Sequence, residues 1–320
     1  MTSVGSRFTR RGGIRTAAAA ALALPLAAGG ATAHAAAART TAPRGLPAPA
    51  PRSAEGGGGG SRALRLMTFN LRYAAEEPPD SWPERRPVTR ALLRRERPHL
   101  LGTQEGLYPQ LKDIAGDLGG SGYDWIGTGR EGGSRGEFMA VFYDVRRLLP
   151  LAYDHFWLSG QPALIGSATW GNTVVRMVTW VHFRDLATGR ELYHLNTHLD
   201  HLSQYSRERS AALVTERLGG LDPALPQVVT GDFNVPAHGN TVYDMLLADG
   251  KLTDTWEVAK RRSKLYGTFH GYEPLVPDGD RIDWILATPG VRVRRAEINT
   301  FSLNGQYPSD HLPVQALVEL

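Results

Sequence analysis

The sequence predicts one α/β domain over residues 62–320. Strand-like apolar runs alternate with helix-like ones along that stretch, the pattern of helices laid on sheets. Several of the strand-like runs end in polar residues, as strands do when they deliver side chains to one edge of a sheet. The chain has no cysteine, so the fold must be held by core burial, without disulfides or thiolate metal ligands.

Leu64 to Phe69 alternates as a strand and delivers Asn70 at its carboxyl end. Trp82, Arg85 and Arg86 follow a Pro-rich loop and precede a helix near Val88 to Arg95, which Pro98 helps to stop. His99 to Thr103 reads as a short strand ending in Gln104 and Glu105, and the apolar residues before it point to an inward-facing carboxylate. Leu107 to Leu118 reads as helix; Tyr123 to Gly127, Glu137 to Tyr143 and Val174 to Phe183 read as strands. From Glu191 to His201 an extended chain places His194, Asn196, His198 and Asp200 on one face. The next helix opens near Arg207 with an apolar face of Ala211, Val214 and Leu218, which leaves Arg207 either on the helix surface or turned toward a site. Thr241 to Leu247 is helical, and the basic run Lys260, Arg261, Arg262 and Lys264 reads as a solvated face. His270 lies in a glycine-bracketed polar turn, Gly267 to Gly271.

Ahead of the domain, Arg7 to Arg15 and the short apolar run Ala17 to Ala28 form an export signal, residues 1–35, with small residues at Ala33 and Ala35. Thr9-Arg10-Arg11 resembles a twin-arginine signal, and the Ala/Pro/Gly-rich residues 36–61 read as a flexible linker. Seven arginines and one acid precede residue 62, so the net charge of +4 belongs to this leader, while the domain carries 29 basic and 31 acidic residues. A net of −2 supplies no basic stripe for a nucleic-acid backbone.

The chemistry centres on Val228 to Asn234, V-V-T-G-D-F-N. If the strand continues to its end, Asp232 and Asn234 project to the same side while Phe233 turns into the core. A carboxylate beside a neutral amide suits phosphate hydrolysis, one handling the incoming water and the other donating to a phosphoryl oxygen. By itself G-D-x-N is equally a turn. His198 is a further donor candidate; the lack of H-E-x-x-H and of cysteine argues against a zinc site. Asp283 sits among residues that want burial and therefore needs a partner. His311, in the turn Ser309-Asp310-His311, is a candidate for that partner and for a base near neutrality. Trp82, Arg85, Arg86 and Arg130 either line a pocket for an anion or are ordinary packing and surface groups.

Taken in order, Asn70, Gln104-Glu105, Asn196-Thr197-His198, Gly231 to Asn234, Asp283 and Ser309-Asp310-His311 resemble the endonuclease/exonuclease/phosphatase superfamily of DNase I-like phosphoesterases. Leu101 to Glu105, Phe156 to Ser159 and Asn196 to His201 resemble its bacterial exported subgroup. The resemblance implies a four-layer α/β sandwich of two packed mixed β-sheets. It implies Glu105 as the main metal carboxylate, helped by Asn70 and Asp310, and Mg²⁺ as the ion, replaceable by Mn²⁺. Asp232 and Asn234 would align water and phosphate, His198 would stabilise the pentacovalent centre, and Asp283 would orient His311. Arg85, Arg130, Arg207 and His270 complete the expected set as substrate-binding residues. The expected protein is an exported monomer without a membrane span after signal removal, acting on a small phosphate ester or lipid headgroup. An extracellular nuclease and a sphingomyelinase-like phosphodiesterase, using the apolar stretch Phe156 to Ile165, are the alternatives.

Overall fold

The computed structural model describes residues 62–120, 122–172 and 174–320; the expected export signal and linker lie outside the described residues. The strands are β1 (Leu64–Asn70), β2 (Leu100–Gln104), β3 (Tyr123–Ile126), β4 (Val141–Asp144), β5 (Leu148–Trp157), β6 (Met177–Asp185), β7 (Glu191–His198), β8 (Gln227–Asp232), β9 (Thr253–Asp254), β10 (Asp283–Ala287), β11 (Arg292–Ile298) and β12 (Val314–Glu319). The helices are α1 (Trp82–Glu96), α2 (Tyr108–Asp117), α3 (Gln204–Gly219), α4 (Thr241–Leu247) and α5 (Thr255–Val258). One six-stranded sheet has the order β11-β12-β1-β2-β4-β3, the other β5-β6-β7-β8-β10-β9. Each has one parallel pair at its centre, β1 with β2 and β7 with β8. These mixed sheets, flanked by helices, form the DNase I-like α/β sandwich.

Side-chain parity along the central strands explains both the layers and the site. Leu64 and Leu66 of β1, Leu100 of β2, Leu192 of β7, Val228 of β8 and Ile285 of β10 share the core between the sheets. Their odd-step neighbours face the helices: Met67, Phe69 and Leu101 pack with Leu92, Leu111 and Ile114, and Leu195, Val229 and Trp284 pack with Ala211, Val214 and Leu246. Because the period is two, the inward face continues along each strand as Thr68 and Asn70, Gln104, His194, Asn196 and His198, Thr230 and Asp232, and Asp283. The layer between the sheets therefore turns from apolar to polar toward the carboxyl ends of the parallel pairs.

Its polar middle joins the sheets. Gln104 Nε2 donates to Thr68 Oγ1 at 3.1 Å and across to Asn196 Oδ1 at 2.7 Å, and Asn196 Nδ2 donates to the carbonyls of Thr103 and Ala140. Gly102 permits this approach, since a Cβ there would lie 2.2 Å from Thr230 Oγ1.

Several boundaries differ from expectation. α1 begins at Trp82, six residues before Val88, because Ser81 and Glu84 cap it: the Glu84 carboxylate accepts the Ser81 N–H at 2.9 Å. β4 starts at Val141 instead of Glu137, and residues 137–140 run as irregular chain beside the site. Among the described residues no helix is long and apolar enough to cross a membrane.

Candidate active site

Asn70 stands at the junction of the two sheets. Its Nδ2 donates to Glu105 Oε1 and to Asp232 Oδ2, both at 2.9 Å, and lies 3.4 Å from His311 Nε2. Its Oδ1 accepts the Arg72 N–H at 2.9 Å. Glu105 takes a left-handed backbone, φ 61°, at the exit of β2. Such a conformation costs a non-glycine residue about 1–3 kcal/mol, and here it turns the carboxylate to Asn70.

β8 ends at Asp232, and the extended run expected through Asn234 stops there: Asn234 has φ 54°. Asp232 Oδ1 accepts the Asn234 N–H at 2.9 Å, an Asx turn that still brings both residues to the cleft. Phe233 turns away as predicted and stacks on Trp284 with ring centres 4.2 Å apart. Asp283, paired in register with Asp232, holds His311 through Oδ2 and Nδ1 at 2.9 Å. The His311 N–H is received by Ser309 Oγ, which donates to the Asn70 carbonyl at 2.7 Å. His198 Nε2 lies 3.4 Å from Asp232 Oδ2.

Burial and charge set the protonation of these groups. Burial works against charge on His311, but Asp283, with Asp232 and Asp310, outweighs it and lifts the imidazole to about 10. Burial and then the Asp283 carboxylate raise Asp232 to about 7, against the pull of His311 and the Asn70 hydrogen bond. Burial first, then Arg176 and His311, hold His198 well below the ordinary histidine value.

Glu105, Asp232 and His311 each offer a ligand atom, all within 4.8 Å of one another. Two carboxylates beside one imidazole suit a divalent cation such as Mg²⁺ or Mn²⁺, whose preferred ligands are oxygens. The trio lies in a cleft of about 330 Å³, whose walls include Arg130, Glu137, Arg176, His201 and Phe269.

The endonuclease/exonuclease/phosphatase family model matches residues 67–311, spanning every group of this site. The chain belongs to that family. Family members of known structure share its fold over nearly the whole of their own length. One from Bacteroides vulgatus is 32% identical with a TM-score of 0.76, over 81% of this chain and 99% of that one. A mannosyl-6-phosphatase from Bacteroides thetaiotaomicron is 35% identical with a TM-score of 0.74, over 80% and 99%. Another family protein from that organism is 34% identical with a TM-score of 0.75, over 80% and 97%. Comparison with curated proteins gives no match. With its metal-ligand cluster, this family member is a metal-dependent phosphoesterase.

The structure gathers His198, Asp232, Asn234, Asp283, His311, Asn70, Glu105 and Arg130 around one cleft, and it places the other expected residues differently. Arg85, expected at the substrate, is fully enclosed, and its five N–H groups go to the carbonyls of Asp80, Leu71, Pro308, Arg72 and Tyr73. Arg207 is likewise turned inward, donating to the Asp200 carbonyl and to Gln204 Oε1. His270 is committed to the Ser309 carbonyl and the Tyr272 N–H, which fixes the turn before His311. Asp310 lines the cleft but stands outside the metal-ligating trio, its carboxylate facing Ser309 and Arg72. Asn70 presents its amide nitrogen, not its oxygen, to the trio. Asp232 and His311, expected only as catalytic groups, join Glu105 in the trio.

Sequence reasoning missed Arg176 and Glu137. Glu137 pairs with Arg130 at 2.6 Å, and Arg176 sits one residue before β6. A lone arginine at a strand entrance carries no local signal; the pairing appears only when the β3–β4 loop folds back.

Proposed function

We propose that the protein is an exported, Mg²⁺-dependent phosphomonoesterase acting on a small phosphorylated sugar or polyol. One observation carries the reading: the metal-ligating trio lies inside a cleft of about 330 Å³, near the lower bound for small-molecule sites, which suits a terminal phosphate on a compact alcohol. The likeness to a mannosyl-6-phosphatase at 35% identity over nearly all of that chain supports it. A domain of net charge −2 speaks against a duplex-binding nuclease. The stretch Phe156 to Ile165 gives little support to a lipid-surface enzyme, since Phe156, Trp157 and Leu158 are buried and only Leu164 and Ile165 are large apolar groups exposed to solvent.

In this reading Glu105 and Asp232 hold the ion, the oxygen ligands a hard cation prefers. The bound ion supplies Lewis acidity, drawing charge from a phosphoryl oxygen. Asp232, held in the cleft by the Asn70 amide at 2.9 Å, would take the proton of the attacking water through a carboxylate oxygen the ion does not engage. His311, held through Nδ1 by Asp283 at 2.9 Å, would turn its Nε2 to a phosphoryl oxygen as a donor in this reading, where the sequence led us to expect the base. Neutral His198 would face the same oxygens, and the Asn234 amide, which gives one N–H to the Leu199 carbonyl at 3.0 Å, would have its second to offer. The water oxygen bonds to phosphorus as the ester P–O bond breaks; the departing alkoxide takes up a proton from solvent, and Asp232 releases the one it took from the water.

The test is turnover of mannose 6-phosphate and other sugar phosphates against bis(4-nitrophenyl) phosphate, sphingomyelin and DNA, with Mg²⁺ present. Monoesters should lead diesters by about 100-fold in kcat/KM. Faster cleavage of DNA or of the diester overturns the reading.

A further inference from the structure

One charged group in the cleft is explained neither by the metal trio nor by the Asp283–His311 pair. Arg176 is 4% exposed, and its single side-chain contact among the described residues runs from Nη2 to His201 Nδ1 at 3.2 Å. Its Nε and Nη1 are buried without any partner. A guanidinium in that condition burdens the fold unless an anion completes it.

Arg130 shares the deficit. Its Nη1 donates to Glu137 at 2.6 Å, while its buried Nε has no partner. Beside them in the chain lies a small apolar cluster separate from the main cores, built of Met139, Trp157 and Met177 with Val175 against it. Val175 and Met177 flank Arg176 in the chain, and the Trp157 indole N–H holds the Arg130 carbonyl at 2.6 Å. The loop carrying Arg130 closes on itself so tightly that a Cβ on Gly129 would lie 2.0 Å from the Arg135 carbonyl oxygen. The two cations are therefore set in place before any ligand arrives.

A terminal phosphate has three non-bridging oxygens and nearly two negative charges; a diester has two such oxygens and one charge. Building on the phosphomonoesterase reading, we propose that Arg176 and Arg130 form a receptor for the phosphoryl oxygens beyond reach of the metal-binding carboxylates, and that this receptor makes the site select a phosphate dianion over a diester. Glu137 aims Arg130 and limits the excess positive charge.

The test uses the full chain with Mg²⁺ in three forms: wild type, Arg176→Met and Arg176→Lys. Inorganic phosphate binding is titrated calorimetrically, and kcat/KM is measured for 4-nitrophenyl phosphate and bis(4-nitrophenyl) phosphate. Losing two charge-assisted hydrogen bonds should weaken phosphate binding in Arg176→Met by about 10- to 100-fold. Monoester turnover should fall at least about 100-fold and diester turnover only a few-fold, and Arg176→Lys, a point charge without the planar fork, should restore part of the binding. Unchanged phosphate affinity, or an equal fall on both substrates, overturns the receptor. Wild type that prefers the diester overturns the phosphomonoesterase reading, and the selection with it. Wild type that prefers the monoester, with the same preference in Arg176→Met, overturns the arginine's role alone. Should Arg176→Met lose its native melt, Arg130→Met carries the same comparison.

Discussion

Arg85 and Arg176 are both buried arginines near the same cleft, and they are opposites. Arg85 has every N–H satisfied by a backbone carbonyl and ties the exit of β1 to the start of α1 and to the turn before His311. Arg176 keeps two donors idle in the cleft wall. A buried cation with a full set of partners is a strut, whereas one left incomplete holds a place for an anion at a cost to the empty fold. Scaffold and site should thus respond to substitution with opposite signatures.

The largest effect belongs to the cleft. Glu105→Gln should lower metal-dependent kcat/KM on the order of 10³-fold, because it removes a charge from the ion's shell. Stability without metal should hold or rise, since the mutation thins a crowd of carboxylates. Steady-state kinetics, Mn²⁺ titration and urea unfolding in EDTA measure both halves; equal Mn²⁺ affinity in the two proteins refutes the assignment. Arg85→Met tests the strut. Orphaning five carbonyls should cost about 3 kcal/mol or more of unfolding free energy, while kcat/KM per folded molecule stays within about threefold. An Arg85 variant that keeps its stability and loses turnover would break the contrast.

The smallest effect extends the contrast to histidines. Burial presses His194 down to about 3 and His99 to about 4, so both are neutral in the fold and protonate once released. Unfolding then takes up protons between the unfolded value near 6.5 and these folded values. Stability is complete above about pH 6.5 and drains as pH falls toward 4, by at most about 1.4 kcal/mol per pH unit for each histidine. Urea midpoints from pH 7 to 4 should show that slope, and His194→Asn should flatten it. A slope unchanged by the mutation would remove His194 from the account.

The legible part of the molecule is the part governed by period two. Asn70, His198 and Asp232 could be assigned to a common edge because each closes an alternating or apolar run whose buried members fix which way the last residue points. β5, Leu148–Trp157, escaped because it is an edge strand with Pro150 beside a bulge and a largely solvent-facing middle, so no alternation marks it. The arginines escaped for another reason. Arg85 follows a loop rich in turn residues and Arg130 lies within one, and nothing local separates one whose donors meet carbonyls from one whose donors meet a cleft. The Asp200 carbonyl that receives Arg207 and the Ser309 carbonyl that receives His270 are likewise placed by how loops close.

The anchoring of Arg130 bears on how such an enzyme changes its diet. The reacting groups hang from strand ends whose direction the core dictates, so altering them means rebuilding the interior. Arg130 hangs from a self-closing loop pinned by one indole, and that loop can be exchanged as a cassette. New substrate preferences in this lineage should therefore arise by drift within residues 128–136 over an unchanged reaction centre, and a library confined to that loop is the place to look for them.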